Sequence, residues 1–341
     1  MMDVNKARQR VMSYDGPPLT LMEVCGSHTA AIRKNGIPSL LPPTIRLVHG
    51  PGCPVCVTVS EAIDRLIALS CKSGTAVVTF GDLMHVPGSS LSLSEAGGRV
   101  EMVYSPMDVL PLAEKEPDTD FVFAAVGFET TAPVYALLVK ELFEGRVRNV
   151  KLLCALKTMP PVIERLLSEG GKLDGFLAPG HVSVVTGEDY FLPLARKYAL
   201  PFVISGFAGE EILAALSVLI EKQGKPVVVN AYPRVVRPEG NPNARALIEE
   251  VFEAGPAVWR GLGEIEGSGL YLREKYRYLD AGSFGITEDH KKNPLCICHR
   301  ILTGKAEPLD CPLFGTACTP LTPQGSCMVS EEGGCHACYG S

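Results

Sequence analysis

Two cysteines in the first part of the chain, Cys53 and Cys56, form a C-x-x-C pair. This spacing lets the two sulfurs close a disulfide, and a predicted helix after the pair stabilises a thiolate at its N-terminus. Glycine and proline flank the pair and make a tight loop that suits thiol exchange. The same thiols also suit half of a zinc site, which Cys25, His28 or His49 would complete. The pair therefore indicates thiol redox chemistry, with zinc binding as the alternative.

Another cysteine in this half of the chain, Cys25, stands three residues before His28. As a thiolate, Cys25 can act as a nucleophile with His28 as its base, or as a soft ligand for a low-valent metal. A buried, inert cysteine beside a structural histidine is the alternative. We therefore expect Cys25 and His28 to belong to a catalytic or metal-binding site.

Two further motifs carry polar side chains after apolar runs. Glu129, Thr130 and Thr131 offer one carboxylate and two hydroxyls, and His181 lies in a glycine-containing segment. We predict that Thr130 or Thr131 caps a helix, because a threonine oxygen at a helix start accepts a hydrogen bond from a free amide. We also predict that Glu129 faces a ligand crevice and that His181 titrates or forms hydrogen bonds in a loop.

The last part of the chain is rich in cysteine, with seven of the twelve cysteines after position 295. Four of them are separated by six, eight and seven residues: Cys311, Cys318, Cys327 and Cys335. Four cysteine thiolates suit a [4Fe–4S] cluster or a tetrahedral zinc ion. Structural zinc sites usually contain more closely spaced cysteine pairs, so these wide gaps favour the iron–sulfur cluster. We predict that the remaining three cysteines do not bind it: Cys296, Cys298 and Cys338.

Short apolar runs alternate with amphipathic helical segments from residue 19 to about residue 254. Several runs are apolar throughout, which is typical of strands buried on both faces of a parallel sheet. The alternation predicts α/β layers with right-handed crossovers. Nine predicted strands exceed one comfortable sheet, so we predict two open parallel-sheet α/β domains, with a TIM barrel as the alternative. The predicted strands are 19–24, 45–49, 76–80, 100–104, 121–126, 151–155, 175–178, 202–204 and 227–230.

The chain is predicted to divide into three parts. A short, charged, glycine-containing segment at 145–149 separates a first α/β domain, 1–148, which holds Cys25 and the C-x-x-C loop, from a second, 149–255. The third part, 256–341, is rich in cysteine, proline and glycine and has no regular hydrophobic period. Such a segment buries little apolar area by itself, so we predict a small irregular region that an iron–sulfur cluster holds together.

The motifs outside the tail follow predicted strands. Those at 25–29, 50–56, 127–133 and 179–183 come directly after apolar runs. In parallel α/β sheets, the loops at the carboxyl ends of the strands line the ligand crevice. We therefore expect these loops to converge on one site, although they lie far apart in the sequence.

Charge and composition exclude several classes of function. The chain carries 32 basic and 38 acidic residues, a net charge of −6, and no basic block stands out. Charge-driven binding of nucleic acid or of a membrane surface is therefore not expected. No apolar stretch is long enough to span a membrane, the first residues lack the apolar segment of a signal peptide, and no G-x-x-x-x-G-K-[ST] motif occurs. We expect a cytoplasmic protein with reduced thiols and no nucleotide cofactor.

Taken together and in order, these motifs resemble those of the HypD family of hydrogenase maturation factors, over nearly the whole chain. The resemblance rests on Cys-Gly-Ser-His-Thr at 25–29, Gly-Pro-Gly-Cys-Pro-Val-Cys at 50–56, Gly-Phe-Glu-Thr-Thr-Ala-Pro at 127–133, Pro-Gly-His-Val-Ser at 179–183, and the tail sequences at 310–315 and 327–330. It implies a scaffold that builds the Fe(CN)2CO centre of [NiFe]-hydrogenases, with two similar α/β domains and a [4Fe–4S] cluster.

The resemblance also implies partners, and roles for the site residues. Family members work with a small chaperone, HypC, and accept cyanide from the thiocyanate-carrying HypE. Cys25 would bind transient Fe(II) with its CN and CO ligands, while Cys53 and Cys56 would relay electrons in pairs from a cluster that passes them singly. His28 or Glu129 would handle protons or hold the diatomic ligands. The alternatives are a dithiol oxidoreductase without an iron-assembly role and a zinc-stabilised binding module.

Overall fold

The computed structural model describes residues 4–145 and 147–340. These residues form two β-sheets with helices packed on them, followed by a tail of turns and short helices. The strands are β1 (Leu19–Glu23), β2 (Ile45–His49), β3 (Thr75–Thr79), β4 (Val100–Met102), β5 (Asp120–Gly127), β6 (Val150–Lys157), β7 (Gly175–Pro179), β8 (Phe202–Ser205), β9 (Val228–Asn230), β10 (Phe252–Trp259) and β11 (Gly263–Leu272). The α-helices are α1 (Val4–Met12), α2 (Gly26–Lys34), α3 (Ser60–Ser70), α4 (Val109–Lys115), α5 (Ala132–Glu144), α6 (Met159–Ser168), α7 (Gly180–Thr186), α8 (Leu192–Tyr198), α9 (Gly209–Glu221), α10 (Pro242–Val251), α11 (Cys298–Ile301) and α12 (Gly334–Tyr339).

The first sheet has five parallel strands in the order β2-β1-β7-β8-β9. β1 and β2 pair in register, from Leu19 opposite Ile45 to Glu23 opposite His49. β1 pairs with β7 on its other side, so the loops after β1, β2 and β7 leave the same edge of the sheet. Three motif-bearing loops are therefore neighbours, as expected for the carboxyl ends of parallel strands.

The second sheet has six strands in the order β10-β11-β6-β5-β3-β4. β3, β4, β5 and β6 are parallel, and the antiparallel hairpin of β10 and β11 extends the sheet beside β6. The seven residues from Phe121 to Gly127 in β5 are all buried, so this strand is covered on both faces. Apolar residues of α3 cover one face and those of α5 cover the other.

The α/β architecture with two parallel-dominated sheets is confirmed, and all nine predicted strands form within a few residues of their predicted bounds. The region predicted as irregular, 256–341, begins within β10 and contains all of β11. Its glycines obscure the strand pattern, because Gly263 and Gly267 adopt φ angles of 72° and 66° and the register shifts between Gly255 and Ala257. A bulge and left-handed glycines interrupt the period of two on which strand prediction depends.

Each sheet is assembled from two separate parts of the chain. The predicted domain boundary at 148/149 does not follow this arrangement. β1 and β2 join β7, β8 and β9 in the first sheet, while β3 to β6 join β10 and β11 in the second. The boundary between 1–148 and 149–255 therefore falls between β5 and β6, two paired strands of one sheet. Of the linker predicted at 145–149, Arg146 lies outside the described residues, and the remainder joins α5 to β6. The chain crosses between the sheets after β2, β6 and β9, where no shift in composition marks the crossing.

The tail packs against the first sheet instead of standing apart from it. Its buried cysteines belong to the same apolar core as Met22, Val24 and Val48. Between residue 293 and residue 340, the described chain contains two short helices, α11 and α12, separated by turns. The predicted irregular character of this region is therefore observed from residue 293 onward, whereas β10 and β11 occupy part of 256–292.

The longest described helices, α5 and α9, have thirteen residues each. A helix of that length rises about 20 Å, whereas the hydrocarbon core of a bilayer is about 30 Å thick. Across 4–145 and 147–340, no helix combines the length and the apolar character that crossing a membrane requires.

Candidate functional site

Cys25 lies at the N-cap position of α2, immediately after β1, and its side chain is buried. Its extended backbone, with φ −148° and ψ 121°, turns the chain from the strand into the helix. Burial raises the pKa of the Cys25 thiol to about 12, and the nearby carboxylates of Glu23 and Glu332 act in the same direction. The chain by itself therefore holds Cys25 as a protonated thiol, whereas both roles considered from the sequence, nucleophile and metal ligand, need the thiolate.

The fully buried carboxylate of Glu23 holds the Cys25 loop in place. Its Oε2 accepts a hydrogen bond of 3.0 Å from the Cys25 amide, and its Oε1 accepts one of 2.5 Å from the Thr29 hydroxyl. His49 Nδ1, at the end of β2, lies 2.9 Å from the same Oε1. Glu23 was not among the site residues predicted from the sequence, although a carboxylate at the end of an otherwise apolar strand is a usable signal.

His28 is fully buried in the first turns of α2. Its Nε2 lies 3.0 Å from the Gly206 carbonyl oxygen and donates to it, whereas its Nδ1 has no partner among the described residues. Burial lowers the pKa of His28, so the ring is neutral at pH 7 and Nδ1 keeps a free lone pair. Buried polar atoms normally have a hydrogen-bond partner, so the unpaired Nδ1 is a position at which a ligand or a proton can bind.

His181 lies close to His28, with the ring of Phe207 packed against both. The ring centroids of His181 and Phe207 are 4.1 Å apart, and those of His28 and Phe207 are 4.7 Å apart. The prediction that His181 lies in a loop is wrong, since it stands in the first turn of α7. The sequence analysis also missed Phe207, which follows β8 in a segment with no unusual residue types.

The C-x-x-C loop lies against the Cys25 loop. Cys53 and Cys56 close a disulfide with their Cα atoms 5.2 Å apart. The Gly26 amide donates a hydrogen bond of 2.9 Å to the Gly52 carbonyl, and a Cβ added at Gly52 would lie 2.2 Å from the Cys25 amide nitrogen. Only glycine permits this approach, so the predicted convergence of the first two motif loops is observed.

Six buried cysteines of the tail line one apolar cavity together with Ile301, Phe314 and Met328. The six cysteines are Cys296, Cys298, Cys311, Cys318, Cys327 and Cys335. The cavity thus contains the four predicted cluster ligands and also Cys296 and Cys298, which were predicted to be outside the ligand set. The Cys327 thiol is within hydrogen-bonding distance of both Cys298 and Cys335, and Cys338 is half-buried beside Cys335.

The donor types in this cavity fit an iron–sulfur cluster, although the thiols are not arranged as a formed metal site. Within 4–145 and 147–340, no group of three or more histidine, cysteine, aspartate or glutamate side chains has the geometry to hold a metal ion. Soft thiolates in an apolar enclosure are nevertheless the ligands that iron–sulfur clusters take. The choice of four ligands among the six cysteines stays a prediction.

The segment from Ser326 to Cys335, which we call the tail strap, contacts three of the loops that follow strands. The Ser326 hydroxyl donates a hydrogen bond of 2.6 Å to the Cys56 carbonyl. The Ser330 hydroxyl donates to Asp82, and the Ser27 hydroxyl donates a hydrogen bond of 2.6 Å to Glu332 Oε1. The strap therefore joins the thiol cavity to the Cys25 loop, the C-x-x-C loop and the loop after β3.

Glu129, which was predicted to face a ligand crevice, is buried between elements of the two sheets. Its Oε1 accepts hydrogen bonds of 2.7 Å from the Met159 amide and from the Tyr190 hydroxyl, and burial raises the pKa of its carboxyl. Because Pro160 and Pro161 have no N–H, the Met159 amide is the only donor in the first three positions of α6. Glu129 thus caps α6 from the turn after β5 and does not line an open crevice.

The two threonines after Glu129 do not cap α5 as predicted. The Thr131 hydroxyl donates to the Phe128 carbonyl at 3.3 Å, and neither side chain accepts a hydrogen bond from the first turn of the helix. A Cβ added at Gly127 would lie 1.6 Å from Thr131 Oγ1, so the tight turn after β5 depends on glycine at that position. Thr130 is half-buried in this turn.

Known proteins of one family match the chain over almost its whole length. The family model described as "Hydrogenase formation hypA family", named HypD, matches residues 3–341. A putative hydrogenase expression/formation protein of Methanocaldococcus jannaschii is 44% identical, over 98% of this chain and 94% of its own. The hydrogenase maturation factors HypD of Azotobacter vinelandii and Escherichia coli are 42% and 41% identical, over 94% and 98% of this chain and 88% and 92% of theirs. The chain therefore belongs to the HypD family of hydrogenase maturation factors.

Proposed function

We propose that this chain is a scaffold and redox protein on which the Fe(CN)2CO centre of [NiFe]-hydrogenases is assembled. The names of the relatives support the general task, since they are described as hydrogenase maturation or expression/formation proteins. The contact that carries the finer proposal is the one that Ser326 makes between the thiol cavity and Cys56. This contact brings the tail cysteines next to the C-x-x-C pair, and the hydrogen bond from Gly26 to Gly52 brings the Cys25 loop next to the same pair, which supports a proposal that links the three groups.

Cys25 is the proposed ligand of the iron that is being assembled. The thiol stands at the start of the helix that carries His28, whose backbone amide approaches it, and two carboxylates, Glu23 and Glu332, act on it electrostatically. Their negative charge disfavours a free thiolate and favours a bound cation, so Fe(II) displaces the thiol proton as it binds. The small chaperone HypC is the proposed partner that shares the iron.

Cys53 and Cys56 supply the electron pair in this proposal. Transfer of cyanide from a thiocyanate carrier, R–S–C≡N, releases R–S⁻ and CN⁻ and consumes two electrons. The two thiols give these electrons, together with two protons, as they close the disulfide. One proton goes to the leaving thiolate, and the His28 Nδ1 lone pair is a suitable acceptor for the other. The thiocyanate-carrying protein HypE is the proposed donor.

The tail supplies the electrons that restore the dithiol. Cys311, Cys318, Cys327 and Cys335 would hold a [4Fe–4S] cluster, which supplies electrons one at a time from an external one-electron donor when it is bound. Ser326 then keeps the disulfide against the cluster-binding segment. The other predicted site residues have positioning roles in this proposal: Glu129, Thr130, Thr131 and His181. Glu129 caps α6, and His181 packs against the Phe207 ring, which also covers His28.

The experiment that tests the relay compares two variants of the full chain expressed anaerobically with its maturation partners, in the cytoplasm where we expect it to work. The Cys53→Ser, Cys56→Ser double variant should keep its cluster spectrum and its partner binding yet yield no mature iron centre. Cys71→Ser, which alters an exposed cysteine outside these sites, should behave as wild type. Full maturation by the double variant would refute the relay.

The same experiment separates this proposal from a dithiol oxidoreductase that has no iron-assembly role. Such an oxidoreductase would lose thiol exchange in the double variant, but its wild-type form would not retain iron with CN and CO ligands. Infrared spectra of the wild-type complex therefore distinguish the two functions, because few other groups in proteins absorb where these ligands do.

A further inference from the structure

Arg260 is a buried arginine that follows β10 directly, and 7% of its surface is exposed. Its Nε donates a hydrogen bond of 2.7 Å to the Thr58 carbonyl, and its Nη2 donates one of 3.0 Å to the Pro87 carbonyl. Its backbone amide donates to the Val57 carbonyl at 3.0 Å. Arg260 is therefore fixed against the two residues that follow the C-x-x-C pair and against the loop after β3.

The turn that carries Arg260 packs directly on the cysteine-rich tail. A Cβ added at the next residue, Gly261, would lie 2.2 Å from the Cβ atom of His299 in α11. Gly261 has a φ angle of 75°, so both the turn and this close approach need glycine. Arg260 also lines one narrow cavity with Cys296 and Cys298. The hydrogen bond from Cys327 lowers the pKa of the Cys298 thiol to about 7, and the positive charge of Arg260 acts in the same direction.

The wall of this cavity carries more positive than negative charge, although the net charge of the chain is −6. Among the described residues, three cationic side chains and one carboxylate line it: Arg260, Lys291, Lys292 and Asp289. Asp289 Oδ1 lies 3.9 Å from Arg260 Nε, and its oxygens accept hydrogen bonds from the backbone amides of Ser60 and Gly261. Arg260 is the most buried of the three cations, so water and salt screen its charge least.

A buried positive charge beside the tail cysteines matters for electron transfer. A [4Fe–4S] cluster held by four thiolates is anionic, and the uptake of one electron makes it more negative. A fixed cation stabilises the more negative state and so raises the reduction potential of the cluster, more strongly in an apolar enclosure than in water. The two carbonyls that hold the guanidinium are neutral, so they fix its position without cancelling its charge.

We propose that Arg260 is a positioning residue whose guanidinium charge raises the reduction potential of the cluster held by the tail. The inference rests on the [4Fe–4S] cluster of the proposed function and assigns a role to a residue outside the cysteine motifs. The charge makes the cluster a better acceptor for its external one-electron donor. It acts whether or not Cys296 and Cys298 are ligands, because Arg260 lies outside any set of four cysteines.

Redox titration of the anaerobically purified full chain, followed by the electron paramagnetic resonance of the reduced cluster, measures this effect. Arg260→Gln removes the charge and keeps a hydrogen-bond donor, so the equilibrium constant for one-electron reduction should fall at least tenfold, which is about 59 mV. Arg260→Lys keeps the charge without the planar fork and should retain most of the wild-type potential. Arg65→Gln is the matched control, because Arg65 also donates to backbone carbonyls, those of Gly282 and Phe284, but lines neither this cavity nor the thiol cavity.

Two outcomes of this titration would overturn the inference. Equal potentials in wild type and Arg260→Gln would show that the charge does not reach the cluster. Equal falls in Arg260→Gln and Arg260→Lys would show that the bonds to the carbonyls matter and the charge does not. A wild-type tail without an iron–sulfur cluster would refute the proposed function as well, whereas a cluster whose potential is independent of Arg260 would refute this inference alone.

Asp289→Asn provides a second test that leaves Arg260 in place. It removes the negative charge that lies nearest to the guanidinium in the cavity wall and keeps an oxygen acceptor for a backbone amide. The equilibrium constant for reduction of the cluster should therefore rise, opposite in sign to the change in Arg260→Gln. An unchanged or lowered potential in Asp289→Asn would contradict electrostatic control from this cavity.

Discussion

Ser326 joins the cysteine-rich tail to the C-x-x-C loop by donating a hydrogen bond of 2.6 Å to the Cys56 carbonyl. Its Oγ also lies 3.7 Å from Cys298 Sγ, and the next residue in the chain is Cys327. Ser326, Cys56 and Cys298 are all buried, so water does not compete for these contacts. One serine therefore couples the position of the disulfide to the packing of the thiol cavity.

Ser326→Ala should slow the reduction of the Cys53–Cys56 disulfide while costing only about 1 kcal/mol of the free energy of unfolding, the usual contribution of one hydrogen bond. The measurement is the appearance of free thiols at these two positions after a one-electron reductant is added anaerobically. Ser330→Ala is the matched control, because Ser330 lies in the same strap but bonds to Asp82. Equal reduction rates in the two variants would show that Ser326 does not couple the tail to the disulfide.

Cys327→Ala should abolish the visible absorbance of anaerobically purified protein and destabilise the whole tail. The reason is that cluster binding supplies folding free energy to a segment with few apolar contacts of its own. Iron and sulfide analysis, together with proteolysis of the tail, checks both effects. Cys338→Ser should keep the cluster, since we predict that this half-buried thiol is not a ligand.

Cys296 and Cys298 also line the thiol cavity, so the predicted set of four cluster ligands can be tested against them. If Cys327→Ala kept four irons and its spectrum, another thiol, Cys338 or Cys298 first, would have to be a ligand. If Cys298→Ala lost the cluster, that ligand would be Cys298. If the wild-type protein were colourless and contained zinc instead of iron, the result would favour a zinc-stabilised tail.

Much of the fold could be predicted because it depends on local patterns. β5 is apolar from Phe121 onward, and such a run reads as a doubly covered strand whatever lies elsewhere in the chain. The meeting of the Cys25 loop with the C-x-x-C loop also follows from a general property of parallel strands. The order of the strands does not, because the chain changes sheets three times without a marker in its composition.

Where a predicted site residue has a different role in the structure, its partners are distant in the sequence. Glu129 was predicted to face a ligand crevice, but it bonds to Met159 and Tyr190, 30 and 61 residues away, and no local pattern indicates that a carboxylate in the turn after β5 will cap α6. Nothing in the sequence around Phe207 marks it as a site residue, because its contacts with His28 and His181 depend on where β8 lies in the sheet. Hydrogen bonds that cross the fold appear only when the topology is known.

Glu129→Gln should change how the stability of the protein depends on pH. Burial raises the pKa of the Glu129 carboxyl, with the hydrogen bonds from Met159 and Tyr190 opposing the rise. A carboxyl with a raised folded pKa contributes stability that is fully present below its unfolded pKa and is lost as pH rises through the folded value. The free energy of unfolding of Glu129→Gln should therefore gain on that of wild type as pH rises above about 4.3, the ordinary glutamate pKa.

Urea denaturation of wild type and Glu129→Gln between about pH 5 and about pH 8 measures this difference directly. The amide leaves a pH-independent offset, because its N–H groups lack acceptors in a site that offers donors. The test of the raised pKa of Glu129 is therefore how the difference in unfolding free energy between the two proteins changes with pH. Parallel curves over the whole range would mean that Glu129 titrates as an exposed glutamate does.

We propose that Cys25 holds the iron on which CN and CO ligands are assembled. The most direct test is the infrared spectrum of the chain copurified anaerobically with its small chaperone partner, recorded for wild type and for Cys25→Ser. Wild type should show cyanide and carbonyl stretching bands, whereas Cys25→Ser should fold, keep its cluster absorbance and lose those bands. Unchanged bands in Cys25→Ser, with iron still bound, would contradict the account.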